Sequence, residues 1–528
     1  MTTAADRVVG LQERIDRVTA QGPLIQVRGG ELPRVVADAE RALIDASAGI
    51  FQRGGQLVRV AQLEKATEGR IRRAAGAPII IQVTREWLQL ALGRAARFER
   101  WIPQEKKFAP ADAPSAVAGA IISRAGEWNF PPLAGIVSAP TLREDGSLLS
   151  APGYDVDSQL FAAFDPASFP TIDPRPSREA AINALDTLFE LFKECAFVGG
   201  DQSEHGAAAI ASLITAVNRS ALPTAPASAV SARKAGSGKT TLAQAIAQIA
   251  LGREPPVVPA ADDEDEVRKA LLATLLSGDG AVIFDNVEKP LASAALCAAL
   301  TSPTYGDRLL GASQKITVPT RCTWFITGNH LELVGDLTSR AILVALDPEV
   351  ENPESRPFSR DLGEYVREHR GELVAAALTV PLAYLAVDAP KPKARRSRFA
   401  AWDRLVRYPL LWLGIADPLK TQDELRGTDP IREALVALLS AWREAFESEA
   451  ATVSDAIAAA TSPGQSANPA MFEAVHAVAG ERNGEINARR FGRYLARNVR
   501  RIESGMRFEQ VGFESLTKRP KYRVGRVG

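Results

Sequence analysis

The amino-acid sequence predicts an α/β fold for the middle of the chain, with an α+β domain before it and a winged-helix-like domain after it. Three observations support this prediction. A glycine-containing loop around Gly238 precedes a helix, one apolar β run ends at Asp285, and another ends at Asn329. Because the amino end of a helix after a glycine-containing loop can bind phosphate, we expect the chemistry at this loop and at the ends of the two β runs.

The bulk composition excludes several classes of protein. The chain has 528 residues, 46% hydrophobic and 24% charged, which is ordinary for a globular protein of several domains. The net charge is zero, so any nucleic-acid contact must depend on a local basic surface. Three cysteines without a CxxC pair predict neither a disulfide framework nor a zinc site and fit a cytoplasmic protein. The longest apolar stretch, residues 373–387, is too short for a bilayer and predicts a buried helix, so we expect no membrane partner.

Shifts in composition along the chain predict five segments. Residues 1–155 combine short strands, turns and helices, with two strands around the Gly54-Gly55 turn, and predict the α+β domain. A proline- and aspartate-rich stretch at 156–176 predicts a linker. The α/β core with its helical lead-in, at about 177–195 and 203–219, occupies 177–390. A helical segment at 391–450 and the basic winged-helix-like domain at 451–528 complete the chain.

The loop before the central helix matches the end of the phosphate-binding pattern GxxxxGK[ST], also called Walker A, although Arg233 replaces its first glycine. Small residues let backbone N–H groups close around phosphates, Lys239 can reach the β and γ oxygens, and the Thr240 hydroxyl can bind Mg²⁺. We therefore predict ATP and Mg²⁺ as cofactors. The predicted nucleotide-binding residues are Ala235, Gly236, Ser237, Gly238, Lys239, Thr240 and Thr241.

The apolar run at 281–284 ends in Asp285, which is the Walker B pattern. Its carboxylate would hold Mg²⁺ through water, so Thr240 and Asp285 form the predicted metal site. Many ATPases place a glutamate directly after this aspartate as the base that activates water, but this chain has Asn286. Glu288 is the nearest substitute, and slow hydrolysis stays open.

Two further residues complete the predicted catalytic set. Asn329 ends a β run, where its amide suits a sensor that orients water beside the γ-phosphate, although Gly-Asn pairs also form ordinary turns. Arg340 follows shortly after. In ring ATPases an arginine at this place can reach the γ-phosphate held by the neighbouring subunit, but a plain surface arginine is an equal alternative.

With these parts in order, the chain resembles superfamily 3 and related AAA+ helicases of phages, plasmids and integrated mobile elements. The resemblance covers about residues 178–415 and depends most on the strings at 233–242, 284–287, 305–311, 324–329 and 335–340. Weaker likeness extends to 402–407, 51–55 and 139–143. The resemblance implies a P-loop AAA+-type ATPase core in a ring, usually a homo-hexamer, that moves along single-stranded or forked DNA using ATP. Arg233 and Asn286 depart from the family pattern.

Two regions are candidates for DNA contact. Two β runs around residues 311–315 predict a hairpin, which in similar helicases projects into the central channel; Gln314 and Lys315 are the predicted contacts, and a solvated turn is the alternative. Between residues 481 and 528, lysine and arginine outnumber aspartate and glutamate 13 to 5. A helix from near Asn487 to near Ile502 and a β-hairpin at 506–511 and 522–527 predict a winged helix. The predicted contacts there are Arg489, Arg493, Arg497, Lys518, Arg519 and Lys521.

These features predict an ATP-dependent DNA helicase or replication initiator of a mobile genetic element. One alternative is a nucleic-acid-binding ATPase switch, regulatory or defensive, that does not unwind DNA. The other is a binding protein that uses its C-terminal module and has a degenerate ATP site.

Overall fold

Five parallel strands form the centre of the structure, a computed structural model. In chain order they are β1 (Ala227–Ala232), β2 (Val257–Pro259), β3 (Ala281–Asp285), β4 (Thr323–Asn329) and β5 (Ala341–Leu346). Their order across the sheet is β5-β1-β4-β3-β2, and two short antiparallel strands of the N-terminal region, Ile71–Arg73 and Ala66–Glu68, extend the β2 edge. The carboxyl ends of β1, β3 and β4 therefore lie side by side.

The structure describes residues 22–62, 66–68, 71–73, 76–259, 263–308, 315–461, 468–481, 484–515 and 517–527. Their contacts divide into two units. The first holds the described residues of Met1–Glu288, Ser293–Leu331 and Arg340–Leu419, and the second holds those of Lys289–Ala292, Glu332–Ser339 and Lys420–Gly528.

The helices of the α/β core precede the five strands, lie between them or follow them. Both predicted lead-in helices are confirmed, as Arg178–Phe192 and Glu204–Val217, and each begins after a serine whose hydroxyl accepts a backbone N–H. The second is buried almost along its whole length, which explains its alanine-rich sequence. The remaining elements of the core are the helices Lys239–Leu251, Glu264–Ser277, Ala294–Thr301, Leu362–Ala386, Ala400–Trp402, Asp403–Arg407 and Tyr408–Trp412, the short turns Arg219–Ala221, Pro353–Ser355 and Pro418–Lys420, and the hairpin Thr304–Arg308 with Lys315–Pro319.

The predicted buried helix at residues 373–387 is confirmed as the second half of Leu362–Ala386. Pro381 lies inside this helix and is buried with its neighbours, so packing against the core outweighs the lost hydrogen bond. Among the described residues, no helix combines the length and apolar character needed to cross a membrane.

The N-terminal region packs three helices against small sheets. The helices are Leu32–Asp45, Arg85–Ala95 and Ser115–Ser123. Leu24–Val27, Arg97–Ile102 and Lys107–Ala111 form one sheet, and Ile50–Arg53, Gln56–Gln62 and Pro78–Gln82 form another, which confirms the two strands predicted around Gly54-Gly55. Gly135–Val137, Gly153–Asp155 and Leu160–Ala162 form a third sheet, so the stretch predicted as a linker, 156–176, contains a paired strand. Thr141–Leu142 pairs with Leu148–Leu149, and a short turn covers Pro166–Ser168.

The second unit contains five helices among its described residues: Thr421–Gly427, Pro430–Phe446, Val453–Thr461, Pro469–Ala479 and Ala488–Asn498. A short turn, Gly335–Ser339, also belongs to it. Ala451–Thr452, Pro520–Arg526 and Met506–Phe513 form its sheet, in that order, so the predicted hairpin is confirmed. The basic helix ends at Asn498 rather than near Ile502, because Val499 has a non-helical ψ of 132°. Arg500, which follows it, has a left-handed φ of 67°.

Candidate functional site

The loop from Arg233 to Gly238 joins the carboxyl end of β1 to the amino end of helix Lys239–Leu251. Gly236 and Gly238 have φ values of 72° and 83°, which glycine adopts without strain. A Cβ added to Gly236 would lie 3.0 Å from Cβ of Glu354, so this residue also permits a close approach. Arg233 does not have a positive φ, which explains why an arginine can replace the glycine of the pattern there.

Lys239 is the first residue of the helix and is only 9% exposed. Its Nζ donates to Oδ1 of Asn329 at 2.7 Å and to the carbonyl oxygen of Lys234 at 3.3 Å. Burial lowers the pKa of the Lys239 ammonium, an effect that the nearby Asp285 carboxylate partly offsets. The side chain is therefore held at the base of the loop by oxygen atoms from β4 and from the loop itself.

The carboxylate of Asp285 lies beside the same loop. Its Oδ1 accepts hydrogen bonds from Oγ1 of Thr240 at 2.8 Å and from Oγ1 of Thr327 at 2.6 Å. A hydroxyl and a carboxylate this close are the oxygen ligands that Mg²⁺ prefers, so the donor set fits that ion. Thr327 was not predicted as a site residue, although it lies on β4 two positions before Asn329 and so on the same face of the strand.

Asn286 follows Asp285 with a φ of 56°, in the left-handed region where asparagine is favoured over other side chains. Its backbone N–H donates to Oγ1 of Thr327 at 3.1 Å, and its Nδ2 donates to Oε1 of Glu288 at 2.8 Å. The backbone conformation therefore gives a physical reason for asparagine at this place. Glu288 is exposed and contacts the amide of Asn286.

Arg340 lies at the amino ends of the strands, whereas the loop follows the carboxyl end of β1. It directly precedes β5, and its carbonyl oxygen accepts a hydrogen bond from the backbone N–H of Ala227, the first residue of β1. The loop follows the other end of β1, so the length of the strand, roughly 16 Å at about 3.3 Å per residue, separates the two. The side chain of Arg340 therefore has no short path to a phosphate bound at Lys239 of the same chain.

A cavity of about 730 Å³ opens beside the loop. On the far side its wall is a segment between β5 and helix Leu362–Ala386 that the sequence did not indicate. Arg360 donates to the carbonyl oxygen of Leu191 at 3.2 Å, Ser359 N donates to Oε1 of Glu194 at 2.9 Å, and Arg356 donates to the Glu194 carbonyl oxygen. These contacts fix the segment to the end of helix Arg178–Phe192.

Phe358 lies between these anchored residues and is 55% exposed. The guanidinium carbon of Arg356 lies 5.1 Å from the centroid of its ring. Both side chains line the cavity, and the residues that line it with them include Leu191, Cys195, Leu346 and Leu362. An exposed aromatic ring on an anchored segment is a surface on which a planar ring can stack.

The residues predicted to contact DNA fall into two groups. In the hairpin, Lys315 is exposed and lies opposite Arg308, while Gln314 is outside the described residues. On the basic helix, the predicted contacts Arg489, Arg493 and Arg497 are all exposed, as is Arg490. None of the three predicted arginines forms an ion pair with a carboxylate of the described residues, whereas Arg507 and Arg523 both bind Glu509.

Basic residues of the C-terminal hairpin differ in exposure. Lys518 and Arg519 are exposed in the loop, and Lys521 is half-buried in the strand that follows. Arg519 donates to Oγ of Ser454 at 2.7 Å, so part of its hydrogen-bonding capacity is already used. The opposite face of the basic helix places Phe491 and Leu495 in the core of the second unit.

Comparisons with known proteins give structural neighbours at low identity. No family model matches the chain, and no curated protein does. The A form of the apo NrS-1 C-terminal region aligns with 93% of this chain and 99% of its own, at 12% identity and a TM-score of 0.31. A ligand-bound JCV helicase aligns with 48% of this chain and 74% of its own, at 16% identity and a TM-score of 0.20. TM-scores this low assign no function to this chain.

Proposed function

We propose that this chain is an ATP-dependent DNA helicase or replication initiator of a mobile genetic element, with a P-loop AAA+-type core that acts as a ring. The observation that carries the proposal is the convergence of Lys239, Thr240, Asp285 and Asn329 at the carboxyl ends of β1, β3 and β4. A cationic donor, a hydroxyl, a carboxylate and an amide in this arrangement are what phosphoryl transfer from ATP requires.

In this proposal each residue has one task. Backbone N–H groups of residues 235–241 and the Lys239 ammonium bind the phosphates. Thr240 and Asp285 hold Mg²⁺, which when bound neutralises the charge that develops on the phosphate oxygens. In the free protein, the amide oxygen of Asn329 accepts a hydrogen bond from the Lys239 ammonium. When ATP is bound, Asn329 orients water beside the γ-phosphate.

The nucleoside end of ATP occupies the cavity beside the loop. Its volume, about 730 Å³, is within the usual range of small-molecule sites, about 300–1,000 Å³. The exposed ring of Phe358, backed by the guanidinium of Arg356, provides a stacking surface for the base.

Arg340 acts across a subunit interface in this proposal. Arg340 lies at the amino ends of the strands, too distant from Lys239 of its own chain to contact the same nucleotide. This position supports a role toward the nucleotide of another copy. The same geometry supports a ring over a monomer, and a homo-hexamer is the form that the family resemblance implies.

DNA contacts are assigned to the hairpin that carries Lys315 and to a winged-helix-like C-terminal domain at residues 451–528. The exposed arginines of its basic helix, which have no carboxylate partner among the described residues, support phosphate contact. A guanidinium in this state can bind phosphate without first breaking an ion pair.

The test is strand displacement on a forked DNA duplex with ATP and Mg²⁺. We expect unwinding by the wild-type protein, none by Lys239→Ala, and wild-type unwinding by Lys269→Ala, which removes an exposed lysine of helix Glu264–Ser277. Hydrolysis of ATP without unwinding would instead support the alternative function, a nucleic-acid-binding ATPase switch. The left-handed Asn286 after Asp285, in place of a catalytic acid, is the observation that favours this alternative. DNA binding without nucleotide binding would support the C-terminal binding module.

A further inference from the structure

The Gly54-Gly55 turn of the N-terminal region packs directly against the hairpin strand Lys315–Pro319. A Cβ added to Gly54 would lie 2.8 Å from Cγ2 of Ile316 and 3.2 Å from Cγ1 of Val318. Both of these side chains are buried. Gly54 also has a φ of 58°, so two independent conditions require glycine at this position.

Arg53, next to this turn, fixes the turn to a helix of the α/β core. Its guanidinium is buried and donates to the carbonyl oxygens of Leu275 at 2.8 Å, Leu133 at 3.0 Å and Ala134 at 2.6 Å. Leu275 lies in the last turn of helix Glu264–Ser277, and its carbonyl oxygen also accepts the backbone N–H of Gly278 at 3.3 Å. Burial lowers the pKa of Arg53 to about 10, which still leaves the guanidinium charged at neutral pH.

The same helix holds the other strand of the hairpin. Arg268 donates to both carboxylate oxygens of Asp307, at 2.7 and 3.0 Å, and Tyr305 Oη donates to Asp307 at 3.1 Å. The Arg268 guanidinium lowers the pKa of the Asp307 carboxyl. The Gly54-Gly55 turn therefore contacts one hairpin strand and helix Glu264–Ser277, and the same helix contacts the other hairpin strand.

We propose that the N-terminal turn is a brace that sets the direction of the hairpin, with Gly54 and Asp307 as its positioning residues. The hairpin strands are held at two separate points, so the hairpin moves together with the N-terminal region and helix Glu264–Ser277. This inference adopts the DNA-binding role of the hairpin from the proposed function, but the brace itself depends only on the contacts above. The N-terminal region therefore contributes to DNA binding by orienting the hairpin that carries Lys315.

The first test compares Gly54→Ala with Gly55→Ala by hydrogen exchange. Both glycines have a positive φ, but a Cβ on Gly55 meets no atom within 4 Å, so Gly55→Ala reproduces the backbone strain without the collision. We expect the amides of strand Lys315–Pro319 to exchange about tenfold faster in Gly54→Ala and at the wild-type rate in Gly55→Ala. Equal exchange in the two variants would overturn the brace.

The second test uses the ion pair. Asp307→Asn removes the bidentate contact, whereas Asp265→Asn removes an exposed partner of the same arginine. We expect Asp307→Asn to lower DNA-stimulated ATP hydrolysis at least about fivefold without changing ATP affinity, and Asp265→Asn to leave both unchanged. Wild-type stimulation in Asp307→Asn would refute its positioning role. If DNA fails to stimulate the wild-type protein, the proposed function fails, and hydrogen exchange alone decides the brace.

Discussion

Nζ of Lys239 lies 2.7 Å from Oδ1 of Asn329, which links the start of the central helix to the end of β4. Asn329→Ala should therefore preserve ATP affinity to within about threefold but reduce hydrolysis about 100-fold, the usual cost of losing one aligned polar group. Single-turnover hydrolysis and equilibrium ATP binding would measure the two effects. His330→Asn, at the exposed neighbouring position, is the control and should behave as wild type. An equal loss of binding and hydrolysis in Asn329→Ala would count against the sensor role.

Asn286→Glu should not create a faster enzyme. The position has a φ of 56°, and glutamate there would cost about 1 kcal/mol of backbone strain, so the free energy of unfolding should fall by about that amount. Asn286→Gly should keep wild-type stability, because glycine adopts this conformation without strain. Urea denaturation and steady-state ATP hydrolysis would check both variants. A glutamate variant that hydrolyses ATP faster at unchanged stability would contradict this account of the site.

Arg340→Ala should bind ATP normally and lose hydrolysis about 1,000-fold, because its guanidinium acts on the nucleotide of another copy. Mixing this variant with Lys239→Ala should restore part of the activity, since some interfaces then combine an intact Arg340 with an intact Lys239. Hydrolysis measured across a range of mixing ratios would test this. Mixtures as inactive as the separate variants, in a verified oligomer, would exclude action between copies.

Phe358→Ala should weaken ATP binding about tenfold, because one stacked base is worth about 1–3 kcal/mol. Binding of inorganic tripolyphosphate, which has no base, should not change. Calorimetry with both ligands would separate the base from the phosphates, and Phe358→Trp should restore ATP affinity. Phe513→Ala, which removes another exposed phenylalanine, is the matched control. Equal weakening of ATP and tripolyphosphate would show that Phe358 only supports the loop.

Substitution of Arg489, Arg493 and Arg497 by alanine should weaken DNA binding. It should also lower the slope of log affinity against log salt by about one for each phosphate that the protein no longer neutralises. Arg523→Ala is the control, because its guanidinium already binds Glu509. Fluorescence anisotropy at several salt concentrations would measure the slope. An unchanged slope in the triple variant would show that these three arginines do not contact DNA phosphates.

Features that depend on neighbouring residues follow from the amino-acid sequence of this protein. The glycine loop, the lead-in helices, the strand before Asp285 and the two β-hairpins were predictable, because a cap, a turn or a strand depends on neighbours a few positions away. The motifs also predicted Lys239, Thr240 and Asp285 as site residues, and the structure joins the last two by a hydrogen bond.

Contacts between distant residues, in contrast, follow from the three-dimensional fold. The β5-β1-β4-β3-β2 order brings Thr327 to Asp285. Because β5 runs parallel to β1, Arg340 lies at the amino ends of the strands, away from Lys239. The anchored segment that carries Phe358 and the contact between Gly54 and Ile316 likewise join parts of the chain far apart in sequence. Such pairings follow from strand order and core packing, which depend on the whole fold, so no local pattern in the sequence records them.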